Sequence, residues 1–262
     1  MGPISYQWEK GQWQSISGIP LTDRGFRHGM SVFETIAIRS GRFVFLDEHL
    51  EKLRHACAAI GLVQPPGDIA FKLVPLHFLL GTARLYITAG DGHFRSPMGG
   101  GRILLSIEEV SETPTAPRTL SISTSTHNSA WPSLKTGNYW PNISAYRQAP
   151  EQHAEEIVLV NSANHVISAS LANLFAVIDG LLLTPRVSSG ARAGVLRDWV
   201  IAREDVIIGD FHPEQLREAS EIFLTGSGYG IAPMAKLENK FLASQSLGER
   251  LRLEYLEDLK FL

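Results

Sequence analysis

A single cysteine, Cys57, stands in 262 residues, so no disulfide can close within the chain and no zinc site built on paired cysteines can form. Long apolar runs are missing too. Apolar runs such as 78–80 are far too short to cross a bilayer, and the opening MGPISYQWEK lacks the apolar core of a signal peptide. Nor is there a surplus of one charge. Lysine and arginine number 24 against 27 aspartates and glutamates, a formal charge of −3, and no basic run offers a footprint for nucleic acid or an anionic membrane. These absences predict a cytoplasmic protein with no nucleic-acid and no membrane partner.

Several catalytic signatures are absent as well. No Gly-x-Ser-x-Gly marks a nucleophile elbow, and no P-loop cradles a phosphate. The glycines at 226, 228 and 230 lack the final spacing of a dinucleotide fingerprint. His49 and His55 lie six apart on an expected helix and point to different faces, which makes a poor metal pair. No metal is expected.

What is present describes a globular chain. Hydrophobic residues make up 44% and charged residues 19%, and the length suits one large domain or two of moderate size. Residues 33–38 and 42–45 read as strands flanking Ser40-Gly41, a hairpin signal. Asp47 is expected to cap a helix carrying Leu50, Leu53, Cys57 and Ile60 on one face, with Gly61 as its stop. A helix is expected over 69–80 despite Pro75, then strands at 84–88 and 102–108 around the loop of Gly99, Gly100 and Gly101. The polar stretch 111–118, with Pro114 and Pro117, predicts a linker. Beyond it, strands are expected at 119–123, 157–161, 173–178 and 181–184, the last pair turning at Asp179-Gly180. Helices are expected near 138–148, 195–203 and 213–219, and a C-terminal helix carries Leu247, Leu251, Tyr255 and Leu259 at every fourth position. The pattern predicts two α+β domains, 1–112 and 119–262, joined by 113–118.

Four segments, in order, carry a resemblance. They are Asp23-Arg24-Gly25-Phe26-Arg27-His28-Gly29 with Val32-Phe33-Glu34-Thr35; Glu48-His49-Leu50-Glu51-Lys52-Leu53; Lys135-Thr136-Gly137-Asn138-Tyr139 with Pro141-Asn142; and a long fourth segment from Val166. That last segment includes Ala172-Asn173-Leu174-Phe175, Thr184-Pro185, Gly194-Val195-Leu196-Arg197, and Phe223-Leu224-Thr225 with Ser227. Together they resemble the class IV aminotransferase and aminodeoxychorismate lyase family, which uses pyridoxal 5′-phosphate (PLP). The resemblance implies a two-domain fold-type-IV enzyme of the D-amino-acid aminotransferase kind: a small N-terminal α/β sandwich, a larger C-terminal pseudo-barrel, and the cofactor in the crevice between them. It also implies a homodimer.

Residue by residue, Lys135 matches the family's Schiff-base lysine, which also shuttles the α-proton. Tyr139 matches a tyrosine near the cofactor's phenolic oxygen, or else is a half-buried core tyrosine. The Gly194-Val195-Leu196 turn and Ser227 match phosphate-binding positions, where free N–H groups at a helix start favour a dianion. Glycines 226 and 228 would let backbone approach closely, or simply mark a tight turn. Arg24, Arg27, His28, His93 and Arg95 are candidates for the substrate's carboxylates.

Departures from the pattern bear on the reaction. Ser168 stands 33 positions beyond Lys135, where the family has a glutamate that keeps the pyridine nitrogen protonated. Lys52 replaces an arginine on the phosphate, Leu196 a threonine, Ala89 an arginine and Met30 an aspartate. A serine leaves the ring a weaker electron sink, which favours elimination over transamination. The resemblance therefore implies a 4-amino-4-deoxychorismate lyase-like activity, releasing pyruvate to give 4-aminobenzoate for folate. Its alternatives are a branched-chain or D-amino-acid aminotransferase, and a PLP-binding homologue with impaired catalysis.

Overall fold

The computed structural model describes residues 3–69, 74, 76–98, 100–128 and 134–261. Its contacts divide the chain into two compact units. The first gathers residues up to Thr113 together with Lys135–Asn138; the second gathers Pro114–Leu134 and Tyr139–Phe261. The sequence reading had grouped 135–138 with the second unit. Backbone pairing with an N-terminal strand, which no local pattern announces, draws them to the first. Among the described residues no helix is long and apolar enough to cross a membrane.

The first unit is built on a six-stranded antiparallel sheet. Its strands are β1 (Ile4–Glu9), β2 (Gln12–Ile16), β3 (Ser31–Arg39), β4 (Arg42–Phe43), β5 (Gly81–Thr88) and β6 (Ile103–Glu109), in the order β2-β1-β6-β5-β3-β4. Both hairpin turns use residues in the left-handed region: Lys10 and Gly11 (φ 49° and 82°), then Ser40 and Gly41 (φ 50° and 71°). That geometry matches the twist of the flanking strands. Helix α1 (Arg24–His28) is capped by Asp23, whose carboxylate accepts the Gly25 N–H, and it ends at Gly29. Helix α2 (Leu46–Ile60) buries Leu50, Leu53, Ala56 and Cys57 and packs on β3. Burial pushes the Cys57 thiol up to about 12, so it is a core residue and not a nucleophile.

Two expectations need correcting here. Phe45, with φ 50°, occupies the N-cap of α2, and Asp47 lies inside the first turn. Its charge there suits the helix dipole without capping an N–H. Of the helix expected over 69–80, residues 70–73 and 75 lie outside the described residues, and 76–80 are not helical. A proline at 75 lacks the N–H and the room that a helix continuing through this stretch requires.

No helix or strand interrupts 110–118. The second unit then begins with β7 (Thr119–Thr126), followed by α3 (Trp140–Tyr146), β8 (Glu156–Val160), β9 (Val166–Ala169), β10 (Asn173–Ile178) and β11 (Leu181–Pro185). Next come α4 (Val195–Ile201), β12 (Val206–Gly209), α5 (Pro213–Arg217), β13 (Glu221–Gly226), β14 (Gly230–Pro233), β15 (Lys236–Leu237), β16 (Lys240–Phe241) and α6 (Ser246–Phe261). Two five-stranded sheets form, ordered β12-β11-β10-β13-β14 and β16-β15-β7-β8-β9. They share one core, to which Leu120, Val158 and Val166 come from one sheet and Leu174, Ile222 and Ala232 from the other. Phe175 and Phe223, partners in register, stack with ring centroids 4.9 Å apart. Helix α6 buries Leu251 and Tyr255. The Trp199 indole and the Arg203 guanidinium, both near the end of α4, donate to its Asp258 at 2.9 and 2.8 Å.

A buried carboxylate fixes the turn after β9. Glu156, only 2% exposed, accepts the N–H of Ile157 at 2.7 Å, the N–H of Ser170 at 3.2 Å and the Ser170 hydroxyl. Burial pushes its carboxyl above the usual range, against the opposing pull of these donors. The folded protein thus holds the Glu156 proton more tightly than the unfolded chain does. The stability it contributes is full below the ordinary glutamate range and is lost as pH rises through the raised value. Glu156→Gln should flatten that slope, which denaturant unfolding measured from about pH 4 to about pH 8 will read against the wild type.

Candidate functional site

In the first unit, the segment at Lys135 lies along the start of β3. The Phe33 N–H donates to the Lys135 carbonyl at 2.8 Å, Thr136 bridges Val32, and the Gly137 N–H donates to the Ser31 carbonyl at 2.9 Å. Glycine at 137 suits this close approach, because a Cβ would overlap the Ser31 hydroxyl and force it to turn away. Gly29 has φ 64°, and a Cβ there would collide with the Asn138 side chain. The half-buried Lys135 places its ammonium 4.4 Å from the centroid of the Phe33 ring, which in turn stacks on Tyr86 at 5.5 Å. The lysine is therefore held at its backbone and rests on an aromatic face, unlike a solvated surface charge.

The other first-unit candidates separate into an inner and an outer group. Arg24 is fully buried, and its guanidinium donates to the carbonyls of Ala89, of Gly90 at 3.2 Å, of Ser96 at 3.0 Å and of Pro97 at 3.2 Å. Four of its five N–H groups are engaged in this way. Arg24 braces a loop instead of meeting a substrate carboxylate, which corrects its assignment. Asp23 and Asp91 extend the brace, since Arg102 donates to both, at 2.6 Å to Asp23. The hydrogen bonds from Arg102 and then Thr22 hold the Asp91 carboxyl below its usual value. Ala89 is completely buried.

On the outside of that loop, Phe94 is 54% exposed. Around its ring stand His93 at 4.2 Å, His28 at 6.3 Å and the Arg95 guanidinium at 5.3 Å. His28, His93 and Arg95 are thus brought together, while Arg27 is exposed on α1. Lys52 is half-buried in the middle of α2. His49 is buried against Glu34 at 2.8 Å whereas His55 is exposed. Among the described residues no cluster of His, Cys, Asp and Glu could hold a metal ion.

In the second unit, Tyr139 precedes α3, and Arg192 lies across it. The guanidinium carbon is 4.5 Å from the ring centroid, and one N–H donates to the phenol oxygen. The Asn173 amide holds the Arg192 carbonyl at 2.7 Å. Gly194 stands at the N-cap of α4, where a Cβ would overlap the Asn173 side-chain oxygen. Val195 and Leu196 are buried. Opposite Asn173 in the sheet is Thr225, whose hydroxyl is buried without a hydrogen-bond partner among the described residues. Ser227 is half-buried in the turn after β13. Ser168 is buried in β9, opposite Leu159. Tyr139, Asn173, Gly194 and Thr225 thus form one connected group around Arg192. The sequence reading passed over Arg192, and its only signal was a cation two places before the Gly194 turn.

With this geometry established, known proteins can be compared. The family model described as "Amino-transferase class IV" matches residues 31–237. The aminodeoxychorismate lyase of Bacillus subtilis is 27% identical over 261 residues, covering 91% of this chain and 88% of its own. The D-alanine aminotransferase of Listeria monocytogenes is 26% identical over 253 residues, covering 88% and 86%. The crystal structure of 4-amino-4-deoxychorismate lyase from Pseudomonas aeruginosa superposes with a TM-score of 0.82 at 24% identity, covering 97% of this chain and 99% of that one. The fold is that of the fold-type-IV enzymes. Since one family model spans most of its length, the chain belongs to the class IV aminotransferases, a family of PLP-dependent enzymes.

Proposed function

We propose that the protein is a 4-amino-4-deoxychorismate lyase-like enzyme that eliminates pyruvate to leave 4-aminobenzoate. The observation that carries this reading is Ser168: a buried β9 position with a hydroxyl where the family pattern has a carboxylate. A hydroxyl can hydrogen-bond a pyridine nitrogen but cannot hold it protonated by charge. Elimination, in which electrons depart with a leaving group, makes the smaller demand on such a ring.

The residues fit a phosphorylated pyridine cofactor. Gly194 admits no side chain at the start of α4, and the Thr225 hydroxyl is buried without a partner among the described residues. PLP, when bound, supplies an aldehyde that takes up an amine and a ring that accepts electrons from the adjoining carbon. From the first unit the reading takes Lys135, to hold the cofactor and move a proton at its Nζ, and Lys52 as a cation for the phosphate. From the second it takes Tyr139 for the phenolic oxygen, Ser168 for the ring nitrogen, and the N–H groups of Gly194, Val195 and Leu196 with Ser227 for the phosphate. His28, His93 and Arg95 around Phe94 suit a substrate with one carboxylate on its ring and another on an enolpyruvyl group. A cytoplasmic homodimer acting on an amino-acid-like small molecule completes the proposal. A branched-chain or D-amino-acid aminotransferase is the second reading, favoured by the identity to the D-alanine enzyme. A homologue that holds PLP with impaired catalysis is the third, motivated by Lys52, Ala89, Ser168 and Leu196 together.

Purified protein should show a visible absorption band that borohydride removes and that Lys135→Ala lacks; a colourless wild type would sink the cofactor assignment. Aminodeoxychorismate should yield pyruvate, whereas amination of a keto acid without pyruvate release would reject the lyase in favour of the aminotransferase. Ser168→Glu restores charge beside the ring nitrogen and should raise any transaminase side-activity about tenfold, as about 1.4 kcal/mol of extra stabilisation implies. An unchanged or lower keto-acid rate would count against the role given to Ser168.

A further inference from the structure

We infer that Arg192 is a positioning residue that acts through Tyr139, fixing which way the phenolic hydrogen points. The inference rests on the reading above, in which Tyr139 meets the cofactor's phenolic oxygen.

A guanidinium carries only N–H donors and stays charged at any pH a protein survives. The Tyr139 oxygen, in contact with Arg192, must therefore be the acceptor. Its own hydrogen is then directed away from Arg192 and is presented as a donor to whatever stands on the other side. A phenol alone rotates between donor and acceptor roles; this one has been assigned. The same guanidinium also covers the ring face, with its carbon 4.5 Å from the centroid, so tilt and hydroxyl are fixed together. Lysine, a point charge, cannot do both.

Arg192 is itself held. Asn173 donates to its carbonyl at 2.7 Å, and Gly194 packs so close to Asn173 that no side chain fits between. A chain of contacts thus runs from β10 through Asn173 and Arg192 to the phenol. A donor aimed at an oxyanion stabilises it and lowers the proton affinity of an amine conjugated with it. Removing Arg192 should release the phenol and undo part of that effect.

The test is a pH titration of the visible band in the cofactor-bound wild type, Arg192→Gln, Arg192→Lys, Tyr139→Phe and the double variant Arg192→Gln/Tyr139→Phe. Arg192→Gln and Tyr139→Phe should both move the midpoint to higher pH by about half a unit, a threefold change in proton affinity. The double variant should move it no further than Tyr139→Phe, and Arg192→Lys should fall in between. A wild-type midpoint in Arg192→Gln, or additive shifts, overturns the inference. A second measurement needs no cofactor: the alkaline ultraviolet difference signal that Tyr139→Phe abolishes should move to higher pH in Arg192→Gln, and an unmoved signal also overturns it. If no band is fixed to Lys135 by borohydride, the proposed function falls, while the cofactor-free titration still decides the Arg192–Tyr139 linkage.

Discussion

Two backbone hydrogen bonds tie residues 135–137 to the first residues of β3, one from the Phe33 N–H to the Lys135 carbonyl and one from the Gly137 N–H to the Ser31 carbonyl. Much of the first unit's arrangement follows from them. They favour Gly137, since a side chain there would displace the Ser31 hydroxyl. They bring Asn138 against Gly29, which must then do without a Cβ and takes a left-handed φ to close α1. They also set the Lys135 ammonium over the Phe33 ring, whose position is fixed by its neighbour Tyr86 in the sheet. Strand pairing thus fixes the backbone from which the lysine extends, and the aromatic face limits where its ammonium rests.

The second unit relies on a different anchor, the Asn173 side chain. Its amide fixes the Arg192 carbonyl and its oxygen leaves Gly194 no space. Arg192 lies on Tyr139, and Thr225 stands across the sheet from Asn173. Asn173 and Thr225 sit on β10 and β13, two strands buried along most of their length, which holds them in place. Glu156 does similar service for the turn after β9, at the cost of burying a carboxyl that would otherwise ionise more readily.

Elements with strong local signals were legible in the sequence: the Ser40-Gly41 and Asp179-Gly180 hairpins, the apolar face of α2, and its stop at Gly61. What depends on distant partners was not. The β1–β2 hairpin carries a mixed pattern because most of its residues are only partly covered, so alternation is weak. Phe45 as a helix cap could not be foreseen, since a large aromatic rarely adopts that backbone. At the candidate site, motif spacing picked out Lys135, Tyr139 and Gly194. It misjudged Arg24, because a guanidinium directed to carbonyls and one directed to a ligand look alike in one dimension. Arg192 was missed for a related reason, as its significance lies in a tyrosine 53 positions away.

Arg24 carries a consequence for how such a protein changes over time. By satisfying the carbonyls of Ala89, Gly90, Ser96 and Pro97 from beneath, it holds the 90–97 loop together with two bonds inside the loop, in which the Ser96 hydroxyl accepts the His93 N–H and the His93 ring accepts the Arg95 N–H. The side chains of Phe94 and Arg95 are then fittings on a fixed mount. Mutation can exchange them for other cations, rings or small residues without unravelling the backbone that presents them. Selection can therefore vary what this surface displays at little risk to folding.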